Sequence, residues 1–374
     1  HSRMQALRYH SFGSPGDLRL EDVPPPEPAA GEVLVDVRYA SVNPVDWKIA
    51  AGKFRILVKH GLPRTMGSDF AGVVTNVGSG VDDVRPGDRV WGFVDPFACA
   101  RGTFADFCAV PVKSAFPLPA EVDFRDAAAL ACVGATAVAL CDLAQVSSGS
   151  RVLVNGASGG VGHVAVQLAK ARGARVTATA SGQRREFVTS LGADDVIDYG
   201  RSPVETWPGG FDAVLDCVPS LPRRTHRALL NCGGHYASTL PDAATFLLDP
   251  ITNRVGPIRR HGVMLAPSAA AMEELLGYVR RGLLRCHVEA EYPLAHAAEA
   301  QRKLDVPAHG QPREERRFLE HQRGSPPGLD RPPGGTVEAG DQVEQRALPT
   351  SRRADQADEL ARPNIEGDVV ERVH

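Results

Sequence analysis

At 374 residues the chain exceeds the roughly 250–300 residues at which a single hydrophobic core stops growing, so two domains are expected. A hydrophobic share of 43% beside 23% charged residues is that of a soluble globular protein. The net charge of −3 leaves no basic footprint for nucleic acid or for an anionic membrane. No apolar run reaches the roughly 18–20 residues that span a bilayer, because charges interrupt each candidate. Met4 reads as the natural start, and the N-terminal residues lack the apolar core of a secretion signal. The cysteines (Cys99, Cys108, Cys132, Cys141, Cys217, Cys232 and Cys286) show no CxxC and no metal-finger spacing. Reduced thiols and a cytoplasmic location are therefore expected.

From Met4 to about Ala120 the chain is rich in Gly, Pro and short β-branched runs, such as Glu32–Val37 and Phe70–Val74. That texture predicts a small β-rich domain. From Glu121 to Pro267 strands and helices alternate. Ala127–Leu143 reads as an apolar helix, Arg151–Asn155 as a buried strand, Gly162–Arg172 as a helix and Arg175–Thr179 as the next strand. Asp195–Asp198 and Ala213–Asp216 follow at crossover distances, which predicts a doubly wound parallel sheet. Past Pro267 come one more helix, a strand around Cys286–Glu291 and a helix from Leu294. Residues 311–374 turn to Arg, Pro, Gly, Glu and Asp without apolar periodicity. Such a tail buries too little surface to offset its ordering entropy, so disorder or weak docking is expected.

The segment Asn155-Gly156-Ala157-Ser158-Gly159-Gly160-Val161-Gly162 follows a predicted strand and opens a predicted helix. Ala157, Gly159 and Gly162 form an AxGxxG fingerprint. Gly159 lets the backbone approach a pyrophosphate, and Gly162 lets the helix pack on the strand. A dinucleotide site for NADH places an acid about 20 residues on. Here the second strand runs into Ser181-Gly182-Gln183-Arg184-Arg185, with no acid at that end. A hydroxyl beside a guanidinium suits a 2′-phosphate, which points to NADPH.

Further segments stand in a fixed order around this loop: Ser41-Val42-Asn43-Pro44-Val45-Asp46-Trp47-Lys48, Gly67-Ser68-Asp69-Phe70-Ala71-Gly72-Val73-Val74, Pro86-Gly87-Asp88-Arg89-Val90, Gly134-Ala135-Thr136-Ala137 and Leu191-Gly192-Ala193-Asp194. With them, Met4–Gly310 resembles the zinc-independent medium-chain dehydrogenase/reductase family, in its quinone oxidoreductase, zeta-crystallin-like group. The resemblance implies an α/β fold with a GroES-like catalytic domain over residues 4–120, completed by 268–310. It also implies a Rossmann NADPH domain over residues 121–267, and a homodimer.

The resemblance implies residue roles as well. Asn43 would face the nicotinamide end of the cleft and position a water or the substrate oxygen. Thr136 would contact the nicotinamide ribose side, Ser181 and Arg184 the 2′-phosphate, and Tyr199 would stack beside them. Ala157, Ser158, Gly159, Gly160, Val161 and Gly162 would hold the pyrophosphate, and Ser238 and Leu240 would line the nicotinamide pocket. Asp46 reads as a brace for its loop, with proton transfer as the other role. Lys48 suits enolate stabilisation or proton delivery, against a solvent-facing lysine.

Zinc-dependent relatives carry a Cys and a Gly-His-Glu motif where this chain has Asn43 and Gly67-Ser68-Asp69, so no metal is expected. Without a Lewis acid the expected acceptors are quinones, or alkenes conjugated to a carbonyl. A nucleotide-binding regulatory or structural protein with little turnover, or a zinc-independent alcohol dehydrogenase, are the alternatives. Arg55, Lys59, His60 and Arg64 make one loop basic, read as solvated. Past Gly310 the run of Val, Ile and Leu that closes such reductases does not appear. The tail therefore reads as a frameshift product or a late extension, leaving a bare sheet edge.

Overall fold

A computed structural model describes residues 3–13, 18–240, 243–300 and 317–320. The chain begins with β1 (Met4–Tyr9), β2 (Arg19–Val23), β3 (Glu32–Val42), the short helix α1 (Pro44–Ala50), β4 (Arg64–Thr65), β5 (Asp69–Val77), β6 (Arg89–Phe93), β7 (Phe107–Pro111) and β8 (Ala115–Pro117). β3 is the spine of the larger sheet: it pairs antiparallel with β5 on one side and with β7 on the other. Val33, Val35 and Val37, two residues apart on β3, are all fully buried, as period-two patterning requires.

Next comes α2 (Phe124–Leu143), capped where the Asp123 carboxylate accepts from the Arg125 amide at 2.8 Å. By length and composition this helix is apolar enough to cross a membrane, contrary to the sequence expectation. Its apolarity has another use here. Ala128, Ala131, Leu140 and Cys141 pack in one core with Trp91 and Phe93 of the first sheet and Val152 and Val154 of the second.

The second sheet is built from β9 (Arg151–Asn155), α3 (Gly160–Ala171), β10 (Arg175–Ala180), α4 (Arg185–Ser190), β11 (Asp195–Asp198), β12 (Phe211–Asp216), α5 (Arg223–Leu229), β13 (Leu230–Ser238), α6 (Ala243–Leu247), α7 (Asp249–Val255) and β14 (Arg259–Gly262). Its order is β11-β10-β9-β12-β13-β14, with every pair parallel. That is the doubly wound order, and its direction reverses between β9 and β12, where such sheets bind ligands. The Rossmann expectation is met, with β13 and β14 added to the strands read from sequence.

After α8 (Ala269–Arg280) the expected strand at Cys286–Glu291 lies further on, as β15 (Ala290–Pro293), and the expected helix from Leu294 opens with a 3₁₀ turn that runs into α-helix at Ala297. β16 (Arg317–Glu320) then lies between β15 and β3, parallel to the first and antiparallel to the second. The sheet edge expected to stand bare is therefore paired. Ladder hydrogen bonds come from the main chain, so four residues outside a Val/Ile/Leu run suffice to form them. The rest of the tail, where disorder is expected, lies outside the described residues.

Candidate active site

The glycine loop sits at the reversal between β9 and β12. Gly156 takes φ +74°, a left-handed turn that suits glycine, and Gly159 caps α3 in extended backbone. A Cβ on Gly162 would stand 2.0 Å from the Gly156 carbonyl oxygen and 2.8 Å from the Ala157 Cα. This is the close helix–strand approach that the third position of the fingerprint demands. The first amides of α3 are left without intrahelical partners and carry the positive end of the helix dipole, so this cradle fits an anionic group such as a pyrophosphate.

Sequence reasoning missed the polar network under the loop. Asn155 and Asp216 end neighbouring strands, and Asn155 Nδ2 donates to Asp216 Oδ1 at 2.8 Å. The Thr179 hydroxyl donates to Asn155 Oδ1 at 2.7 Å and accepts from the Gly156 amide at 3.0 Å. The Tyr236 hydroxyl donates to Asp216 Oδ2 at 2.6 Å. Burial pushes the Asp216 carboxyl up, against the lowering effect of the bonds from Tyr236 and Asn155. Polar residues at the C-terminal ends of apolar strands were the available signal.

At the end of β10, Ser181 precedes a 3₁₀ turn, Gly182–Arg184. Arg184 Nη2 pairs with Glu289 Oε1 at 2.7 Å, while Arg185 Nη2 donates to the Val196 carbonyl at 2.7 Å. Asp198, at the end of β11, lies close enough that a Cβ on Gly182 would meet its Oδ2 at 2.7 Å. Two acids thus reach this corner through tertiary structure, although none stands at the end of β10 itself. Tyr199 is exposed.

In the first domain Asn43 caps α1. Its main-chain amide donates to Asp46 Oδ2 at 2.8 Å, and the Ser68 hydroxyl donates to Asp46 Oδ1 at 3.0 Å. Asn43 Nδ2 donates to Asp69 Oδ2 at 3.0 Å and reaches Ser41 Oγ at 3.4 Å, and the Ser41 hydroxyl donates to the same Asp69 oxygen. The Asp46 carboxyl is pushed up to about 7, chiefly by burial and further by the Asp69 charge, against the bonds from Asn43 and Ser68.

Lys48 extends its ammonium toward the Trp47 ring, 5.9 Å from the centroid. Thr136, buried in α2, donates its hydroxyl to the Cys132 carbonyl one turn back at 2.7 Å. Ser238 ends β13, with its Oγ 3.3 Å from the carbonyl of the exposed Leu240. Arg64 departs from the expected solvated loop. It is 2% exposed, and its Nη2 donates to the carbonyls of Pro96 at 2.7 Å and Cys99 at 2.6 Å. Arg55, Lys59 and His60 are exposed.

Comparison with known proteins agrees with this architecture. An Alcohol dehydrogenase GroES-like domain profile matches residues 29–120, and a Zinc-binding dehydrogenase profile matches residues 191–309. A chloroplast envelope quinone oxidoreductase homolog of Arabidopsis thaliana is 35% identical over 316 residues, covering 80% of this chain and 94% of its own. An NADPH-dependent alkenal/one oxidoreductase of the same plant is 39% identical over 222 residues, 58% of this chain and 57% of its own. The solved quinone oxidoreductase from Coxiella burnetii aligns with a TM-score of 0.75 at 28% identity, over 86% of this chain and 100% of that one. The chain belongs to the quinone oxidoreductase branch of the medium-chain dehydrogenase/reductase family.

The zinc named in one family description does not fit this site. Asn43, Ser68 and Asp69 supply an amide, a hydroxyl and one carboxylate, and hydrogen bonds tie them to one another or to Asp46 and Ser41. Among the described residues no three His, Cys, Asp or Glu side chains gather into a metal-ligating group.

Proposed function

We propose that the chain is an NADPH-dependent reductase that passes a hydride to a quinone, or to an alkene conjugated with a carbonyl, with no metal taking part. The observation that carries this reading is the glycine cradle at the sheet's switch point in a chain whose Asn43–Ser68–Asp69 cluster is knit by hydrogen bonds where a metal set would stand. The names of the relatives support it, one being an NADPH-dependent alkenal/one oxidoreductase and another a quinone oxidoreductase of Rattus norvegicus.

When bound, NADPH supplies the hydride. The main chain from Ala157 through Ser158, Gly159, Gly160 and Val161 to Gly162 holds its pyrophosphate. Ser181 and Arg184 take the 2′-phosphate, Tyr199 flanks the adenosine, and Ser238, Leu240 and Thr136 border the nicotinamide side. With its proton committed to Cys132, Thr136 meets a ribose hydroxyl as an acceptor. Asp46 and Asp69 hold Asn43 in place to orient the substrate oxygen or a water. The Lys48 ammonium would stabilise an enolate of the acceptor or deliver the proton at its α-carbon.

The domains divide as 4–120 with 268–310, and 121–267; the family profiles support the first boundary. The chain forms a homodimer through β14, the outer strand of its sheet, where Phe246, Leu247, Ile251, Val255 and Met264 are exposed. Free thiols, several buried, suit the reducing cytoplasm. The test is NADPH oxidation against panels of quinones and enones, with and without a chelator. Acceptor-dependent, chelator-insensitive turnover supports the reading, and tight binding without turnover replaces it with a regulatory NADPH-binding protein.

A further inference from the structure

We infer that Glu289 sets the cofactor preference, because its carboxylate occupies Arg184 and has to release that guanidinium before a 2′-phosphate can be bound. This rests on the reading of Arg184 as the 2′-phosphate residue.

Three observations carry the inference. Arg184 Nη2 and Glu289 Oε1 stand 2.7 Å apart, with the acid the more buried of the two side chains. Glu289 also lines a small groove with Ser158, Gly159, Gly160, His163, Phe187 and His287. A single carboxylate therefore stands beside both anion-binding elements assigned to the nucleotide, the start of α3 and the guanidinium at the end of β10. Finally, the backbone leading to Glu289 is fastened to the cofactor domain. Gln167 Nε2 donates to the Arg285 carbonyl at 3.0 Å, and its Oε1 accepts from the Arg285 amide at 2.9 Å. The His287 amide donates to His163 Nε2 at 3.3 Å, since Nδ1 of that ring, with its proton, faces the Gly159 carbonyl at 3.1 Å. Phe187 packs on His287 with ring centroids 4.7 Å apart.

With its backbone held, Glu289 frees Arg184 by turning its own side chain. A 2′-phosphate carries about two negative charges near neutral pH, so an adjacent fixed carboxylate opposes it directly as well as through Arg184. NADH brings no such charge and leaves the ion pair closed. Glu289 thus narrows the advantage of NADPH over NADH, and the two nucleotides respond to its removal differently.

The experiment measures dissociation constants of 2′,5′-ADP and 5′-ADP, and of NADPH and NADH, for wild type, Glu289→Gln, Glu289→Ala and Arg184→Ala, each checked for folding by circular dichroism. A half-exposed ion pair contributes little, so Glu289→Gln is expected to tighten 2′,5′-ADP and NADPH by about two- to fivefold. 5′-ADP and NADH should stay unmoved, and Glu289→Ala serves if the Gln variant fails to fold. Unchanged or weaker 2′,5′-ADP binding in a folded Glu289 variant, with Arg184→Ala still selectively impaired for the phosphorylated ligands, overturns the inference alone. If wild type shows no preference for 2′,5′-ADP, or Arg184→Ala weakens both ligands alike, the reading of Arg184 itself has failed.

Discussion

Arg184 ends in a side chain that is 41% exposed, so its removal should act on binding and hardly on folding. Charge-assisted hydrogen bonds contribute roughly 1.5–3 kcal/mol each, so Arg184→Ala is expected to weaken NADPH about 10- to 100-fold. NADH should barely change, and fluorescence titration with both nucleotides reads the ratio. Asp46 governs a different property. Its folded carboxyl titrates at about 7 against an ordinary value of 3.8, so between those pH values the folded state holds a proton that the unfolded state has lost. The stability this proton provides is complete in acid and is lost as pH rises toward and through 7. In Asp46→Asn that dependence should vanish. The difference in unfolding free energy between wild type and variant should shift by on the order of 2–4 kcal/mol from pH 4 to pH 8. Denaturant melts across that range measure it, and parallel profiles would show that Asp46 does not titrate there.

Two helical glycines show how an element's surroundings decide what one methyl group does. In α3, Gly162→Ala drives a Cβ to 2.0 Å from a main-chain oxygen, which no rotamer change relieves. A loss of about 1–3 kcal/mol in stability is expected, together with weaker nucleotide binding as the loop shifts. In α8, Gly277 has nothing within 4 Å of its Cβ position, so Gly277→Ala should raise stability by about 0.5–1 kcal/mol. Thermal melts of the two variants should move in opposite directions. The Gly162 requirement was legible in the AxGxxG spacing, because strand-to-helix packing is a local constraint. The position of β15 was not, because Arg285–Glu289 is an apolar-polar mixture whose role is set by what it docks on, Gln167 and His163 of α3.

For the whole molecule, the exposed apolar side chains beside β14 give the proposed homodimer its test. Val255 is 86% exposed and Met264 73% exposed, so Val255→Glu with Met264→Glu should leave the fold intact. Self-association should weaken by roughly tenfold or more, as read by sedimentation velocity. A dimer unaffected by both changes would place the interface elsewhere.

The sequence by itself determined the doubly wound sheet, the glycine cradle and the family. Each of these is written in short spacings, since a strand, a turn and a helix start are local events. Tertiary structure alone decided the rest. It turned the apolar α2 inward between two sheets, placed Arg317–Glu320 between β15 and β3, and buried Arg64 under the carbonyls of Pro96 and Cys99. It also brought Glu289 onto Arg184 and stacked Asp69, Ser41 and Asn43 into one network. The physical reason is the same in every case. A charge or a hydrogen bond acts over a few ångströms in space, and which residues share those ångströms is set by how the chain returns on itself.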